Sequence, residues 1–174
     1  CAAENERVDV GVEAHDAFDA LFDKVVGAWR VVLKVFDEWH PHGACERGDG
    51  GLTILRQIRQ LLPQYDYIYL GDNARAPYGS HSFDIIYRYT LQAVQALFQQ
   101  GCQLVILACN TASAKALRTI QQRDLPTLDP TRRVLGVIRP TVEAVGPLTH
   151  THHIGLLATQ GTVNSGSYTL ELHK

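Results

Sequence analysis

From residue 50 onward, short apolar runs alternate with stripes at helical spacing, and few folds accommodate that rhythm. Leu52, Leu55, Ile58 and Leu62 predict a helix that opens after Gly50-Gly51 and stops at Pro63. Tyr67-Ile68-Tyr69-Leu70 reads as a short strand ending at Gly71-Asp72. Ser82 suits an N-cap with Asp84 in the first turn, and Ile85, Ile86, Tyr89, Ala93, Val94 and Leu97 form a stripe that Gly101 ends. Gln103 to Leu107 holds a continuous apolar run from Leu104 on, the pattern of a strand buried on both faces. Ala112 to Gln122 is expected to be helical, Val134 to Ile138 a strand, and Pro140 suits the first turn of another helix. Ile154 to Ala158 predicts a further strand and Thr162 to about Leu172 a last helix. This alternation predicts an α/β fold around a parallel sheet. Ligands of such sheets bind outside the carboxyl ends of the strands, so the segments after Leu70, Leu107, Ile138 and Ala158 carry the expectation of function.

The 174 residues are 45% hydrophobic and 20% charged, which excludes a collagenous, low-complexity or wholly disordered chain. A net charge of -2 gives no global basic field for nucleic acid or anionic lipid, and no apolar run is long enough to span a bilayer. Four Cys do not make a disulfide framework at this length. The chain has no Met and begins with Cys1, so it is expected to be processed or a piece of something longer.

The charge is uneven. Residues 1–43 hold nine acids and four bases, whereas the remainder is mildly basic. Phe18, Leu21, Phe22, Val25, Trp29, Val32, Phe36 and Trp39 recur every three or four residues, which predicts an amphipathic helix packed on its own domain. Arg30 to Phe36 is rich in Val and also fits a strand. The acidic start lacks the basic and apolar regions of a secretory signal. Pro41, Gly43, Gly48, Gly50 and Gly51 then mark a boundary near residue 43.

Ala108-Cys109-Asn110-Thr111-Ala112-Ser113 follows the buried strand, so Cys109 is expected at a strand end just before a helix. Unpaired helix N–H groups favour a thiolate there. Asn110 and Thr111 add polar groups fit to hold a carboxylate or an amino group. After Leu70, the stretch Gly71 to Gly79 is irregular, with Pro77 and Gly79 fixing a turn. Glu46-Arg47-Gly48-Asp49-Gly50-Gly51 precedes the first helix, where backbone can approach an anion closely. Together these segments describe a pocket for a small anionic molecule with one thiol inside it; from position alone, Cys109 equally fits an inert buried cysteine on a strand. Cys102 reads as core and Cys45 has no evident role. His150, His152 and His153 lack Cys or carboxylate companions and read as solvated, so no metal site is expected.

These residues carry a resemblance. Gly50-Gly51-Leu52-Thr53-Ile54-Leu55, Tyr69-Leu70-Gly71-Asp72, Ala74-Arg75, Pro77-Tyr78-Gly79 and Ala108 to Ser113 together resemble bacterial glutamate racemase, of the aspartate/glutamate racemase family. Gly136-Val137-Ile138, Thr162-Val163, Ser165-Gly166 and Tyr168 continue the match in order, from about Glu46 to Lys174. The resemblance implies a cytoplasmic, cofactor-free isomerase that interconverts L- and D-glutamate, supplying D-glutamate for peptidoglycan and so for cell wall and cell shape. It implies glutamate as the ligand, no nucleic acid or membrane partner, and leaves room for a homodimer. The family uses two cysteines on opposite faces of the substrate, one removing the α-proton and one returning a proton. Cys109 matches the first. Asn110 and Thr111 match substrate-binding positions, and Pro77, Tyr78 and Gly79 match the loop that holds the substrate's polar groups.

Two departures follow. The family's Phe-Asp-Ser-Gly, whose Asp and Ser touch substrate, aligns with Cys45, Glu46, Arg47 and Gly48, so Glu46 and Arg47 take those substrate-binding positions. A gapped alternative aligns Val35-Phe36-Asp37 and treats Glu38 to Arg47 as an insertion. The family's second cysteine lies in a Cys-Thr-His motif, and none of Cys1, Cys45 or Cys102 is followed by Thr-His. The expectation is therefore a fragment with three parts. Residues 1–43 form an acidic, helical leader outside the family, 44–138 a first lobe, and 139–174 the start of a second, similar lobe. Such a fragment racemises little. The competing readings are a racemase of another amino acid such as aspartate, a non-catalytic α/β interaction protein, and a Cys hydrolase using Cys109 with a His base.

Overall fold

The structure, a computed structural model, describes residues 31–35, 50–75 and 77–174. Four parallel strands form one sheet in the order β2-β1-β3-β4: β1 Val31–Val35, β2 Tyr67–Gly71, β3 Leu104–Leu107 and β4 Arg133–Gly136. The α/β expectation holds, and the pairing explains why. Parallel neighbours need a crossover between them, and each crossover here carries helix.

All four residues of β3 are buried, and their alternation sorts the core into two layers. Leu104 and Ile106 pack with Ile58 and Leu62 from the helix α1 (Gly50–Leu61) and its end, with Ile54, Leu55, Tyr67 and Tyr69 around them. Val105 and Leu107 face the other side. There they meet α2 (Phe83–Gln99), through Ile86, Val94, Leu97 and Phe98, and the helical run after β3, through Ala112, Ala116 and Ile120. The spacing of those last three is i, i+4, i+8, and two alanines let the helix lie close to the sheet.

Local chemistry sets the boundaries. The Ser82 hydroxyl caps α2 by accepting from the Ile85 N–H at 3.4 Å. Gly101 ends that helix at φ 85°, a left-handed turn that allows the Gly101 and Cys102 N–H groups to reach the Phe98 and Leu97 carbonyls. After β3 the chain forms α3 (Asn110–Lys115) and α4 (Leu117–Thr119), widens into a π turn over Ile120–Asp124, and closes with α5 (Leu125–Leu128). The helix thus begins two residues before the sequence suggests and extends further.

Four further expectations change. Val31–Val35 is a strand in the middle of the sheet, paired with β2 and β3, so the helical reading fails there and the strand reading holds. That strand joins part of the acidic leader to the same sheet as the residues after 43. The rest of the proposed leader helix lies outside the described residues. The β4 strand stops at Gly136, and Ile138 instead opens α6 (Ile138–Val145) with Pro140 in its first turn. A proline's fixed φ favours helix there, which pulls the helix start back into the apolar run.

The largest difference is at Ile154 to Ala158, which is irregular and exposed rather than a strand. Leu157 is fully exposed, at 101%. Its hydropathy suits a strand, but a strand needs a neighbour to complete its hydrogen-bond ladder, and no described strand lies alongside. The last predicted helix is split in two, α7 (Gln160–Asn164) and α8 (Ser167–Leu172), by Gly166 at φ 64°. Among the described residues no helix is long and apolar enough to cross a membrane.

Candidate active site

The strand order creates one place where a ligand crevice belongs. From β1 the chain runs outward to β2, then returns past β1 to β3 on its other side. Consecutive crossovers therefore diverge between β1 and β3, and their carboxyl ends open a gap there. The end of β1 lies beside Gly71 on one side and Leu107 on the other. Asp72 and Cys109 follow those two neighbours within one or two residues.

Cys109 is the N-cap residue of α3, in an extended conformation, and only 7% exposed. Its neighbours in the core cluster include Tyr78, Leu107 and Ala112. Neither Cys109 nor Cys102 is in a disulfide among the described residues, and Cys102 is wholly buried in the core. Ser113 fixes the height of the cysteine above the sheet. Its hydroxyl donates to the Leu107 carbonyl at 2.9 Å and accepts from the Val137 N–H at 3.3 Å, tying the ends of β3 and β4 to the same helical turn. Gly136 permits that approach, since a Cβ there would lie 2.8 Å from Ser113 Oγ and 2.7 Å from Leu117 Cδ2.

The loop after β2 is folded onto this thiol. Tyr78 is fully buried, and its hydroxyl donates to Asp72 Oδ2 at 2.6 Å. Arg75 Nη1 approaches the same carboxylate oxygen at 3.5 Å and its guanidinium lies 4.5 Å over the Tyr89 ring. Tyr89 in turn meets the edges of Tyr78 and His81. Burial, followed by the Asp72 hydrogen bond and charge, pushes the Tyr78 phenol far above its ordinary value. A thiolate at Cys109 adds to that shift, which places the two groups within electrostatic reach. Tyr78 is therefore a fixed neutral donor to Asp72. Lys115 Nζ donates to the His81 carbonyl at 2.8 Å and so fastens the end of this loop to α3.

The third side comes from the segment after Ala158. Thr111 Oγ1 lies 3.1 Å from Thr159 Oγ1 and 3.4 Å from Thr162 Oγ1, and the last two are 3.1 Å apart. Thr111 and Thr162 are buried, so three hydroxyls satisfy one another where water does not reach freely. Asn110 is exposed, with Oδ1 accepting from the Tyr168 hydroxyl at 2.6 Å. Gly161 packs against the Lys115 side chain and faces the Gly79 carbonyl.

Of the residues singled out by sequence, Cys109, Asn110, Thr111, Tyr78 and Gly79 are drawn into one region, with exposed Pro77 at the start of the Tyr78–Ser80 turn. Glu46 and Arg47 lie outside the described residues. Asp72, Thr159 and Tyr168 were not among the site candidates. All three follow Leu70 or Ala158, two of the strand-end segments that the sequence marks for inspection. Among the described residues no three His, Cys, Asp or Glu side chains are grouped to hold a metal. A separate apolar cleft, lined by Gln121, Leu125, Pro126, Arg133 and Val134, sits at the amino end of β4, the opposite end of the sheet from Cys109.

No protein-family model matches the chain. Curated relatives do. A glutamate racemase from Persephonella marina is 41% identical over 133 residues, 76% of this chain and 49% of that protein. Among solved structures, a glutamate racemase isoform from Bacillus anthracis superimposes with a TM-score of 0.69 at 30% identity, over 83% of this chain and 48% of that one. A glutamate racemase from Francisella tularensis, solved in complex with D-glutamate, gives a TM-score of 0.65 at 35% identity over 83% and 48%. The chain spans about half the length of the curated relatives it matches.

Proposed function

We propose, on the premise that three-quarters of this chain resembles the glutamate racemases, that it carries one half of a cofactor-free glutamate racemase site with Cys109 as its thiol. The observation that carries the proposal is the setting of Cys109. It is a buried thiol at the β1–β3 divergence, on a helix start, with Asn110 and Thr111 beside it.

In the proposed step the Cys109 thiolate takes the α-proton of glutamate and becomes a thiol. The electron pair left on Cα is delocalised into the α-carboxylate. Return of a proton from a second thiol on the opposite face inverts the centre, whereas return from Cys109 restores the starting enantiomer. The α-proton is only weakly acidic, so the step needs a base held in place and donors on the carboxylate where charge accumulates. Asn110, Thr111 and the backbone around Tyr78 and Gly79 are the groups we assign to that task. No Cys-Thr-His triplet occurs in the 174 residues, so the half-site is expected to exchange the proton more readily than to invert the centre. The D-glutamate formed by a whole racemase would serve peptidoglycan synthesis in the cytoplasm.

The carboxylate of the family's Phe-Asp-Ser-Gly is the remaining part. The β1 strand favours the gapped alignment, because Phe36-Asp37 follows directly on Val35 at the carboxyl end of the central strand. We therefore assign that role to Asp37 ahead of Glu46.

The test is hydrogen exchange. Purified chain is incubated with L-glutamate in D2O, with loss of the α-proton followed by NMR and optical rotation followed in parallel. Cys109-dependent exchange with little inversion is expected. Equal exchange by Cys109→Ser, or racemisation by this chain at the rate of a whole enzyme, would overturn the assignment.

A further inference from the structure

We infer that Tyr168 is a positioning residue that locks the Asn110 carboxamide with its NH2 outward, so that the site reads a carboxylate rather than an ammonium; this rests on the glutamate reading above. The Tyr168 hydroxyl donates to Asn110 Oδ1 at 2.6 Å. That occupies the acceptor end of the amide, and Nδ2 has no hydrogen-bond partner among the described residues. Oδ1 keeps a second lone pair, but with its first held by Tyr168 the amide presents its two NH2 donors to a ligand. Rotated by half a turn, it would present its oxygen, which suits the α-ammonium of an amino acid and repels its carboxylates.

The lock is itself anchored. Gly166, at φ 64°, turns the chain so that α8 starts against α3. Ser167 Oγ donates to the Ala114 carbonyl at 3.1 Å, pinning the first residue of α8 one turn beyond Asn110. Burial also holds the Tyr168 phenol above its ordinary value, so it remains a donor throughout the neutral range, with the Thr141 side chain acting in the other direction. Tyr168 thus acts through Asn110, next to Cys109, rather than on the ligand directly.

The experiment uses uniformly 15N-labelled chain and the variant Tyr168→Phe. In ligand-free protein, the Asn110 Nδ2H2 resonance pair is expected to move in the variant, because its amide has lost its fixed partner. Titrations with D-glutamate and with glutarate, a dicarboxylate without the ammonium, are then expected to weaken together by about fivefold, the worth of one ordinary hydrogen bond. An unmoved Asn110 pair would overturn the lock. Weakening of D-glutamate alone would overturn the carboxylate assignment. Failure of the wild-type chain to bind either compound would instead count against the glutamate reading, while the Asn110 pair would still decide the lock. Asn110→Asp provides the second variant. It keeps an acceptor for Tyr168 but replaces the NH2 by an anionic oxygen, so both ligands should be lost with the fold intact; retained binding would overturn the inference.

Discussion

Replacing Tyr78 by Phe isolates the hydrogen bond that closes the β2 loop over Cys109. The ring stays and only the hydroxyl is lost, so no cavity opens in the core. What is removed is an O–H donating at 2.6 Å to a carboxylate. A hydrogen bond to a charged partner contributes about 1.5–3 kcal/mol. Asp72 retains Arg75 at 3.5 Å and some solvent, so the cost should fall near the lower end, about 1.5–2 kcal/mol at pH 8. The pH dependence makes the test specific. Burial and Asp72 raise the native phenol far above its unfolded value, so its contribution is complete below pH ~10 and declines as pH rises beyond that toward the native value. At pH 11 ionisation of the unfolded wild type favours unfolding by about 1.4 kcal/mol, a term that the Phe variant lacks. Urea titrations at pH 8 and pH 11 should therefore show the gap between wild type and variant shrinking to about 0.5 kcal/mol or less. The raised phenols of Tyr67, Tyr87 and Tyr168 are common to both proteins and cancel. A gap below 0.5 kcal/mol at pH 8, or one that is constant with pH, would refute the reasoning.

Other perturbations probe the rest of the framework. Gly136→Ala should cost about 1–3 kcal/mol in urea denaturation, because its Cβ must displace Ser113 and Leu117, and it should change the rate of Cys109 alkylation by iodoacetamide. Thr90 buries a hydroxyl with no hydrogen-bond partner among the described residues, so Thr90→Val should raise stability by about 1 kcal/mol and lift the thermal midpoint. Leu157→Ser should change stability by less than about 0.5 kcal/mol, since the side chain is fully exposed; a loss above 1 kcal/mol would mean that Ile154 to Ala158 is packed after all.

What could be read from the sequence was whatever a local pattern determines. The four apolar positions of β3 need cover on both faces, so their continuity announces a central parallel strand before any partner is known. Cys109 was legible for the same reason, since its place follows from the end of that strand and the start of the next helix. The Val-rich stretch at 31–35 is different. Its surroundings repeat at three and four residues, and only the free edges of β2 and β3, both distant in sequence, select strand over helix. Ile154 to Ala158 presents the converse case: the composition of a strand without the ladder that would make it one.

The site divides along the same line. Asn110 and Thr111 sit beside Cys109 in the chain, so adjacency alone nominates them. Asp72, Thr159 and Tyr168 matter through groups 6 to 58 residues away in sequence, namely Tyr78, Thr111 and Asn110. Asp72 and Tyr168 stand among the motif residues, but nothing in their local spacing assigns any of the three a partner in the site. Their discovery required the strand order, because only the return of the chain past β1 brings the loop after β2, the start of α3 and the turns after Ala158 to one end of the sheet. That placement also separates two roles that the sequence blends. Cys109 is fixed by the sheet beneath it, through Ser113 and the close approach at Gly136, whereas Asn110 is oriented from above by α8. A change in the segment after Ala158 can then alter what the pocket accepts while leaving the thiol where it is.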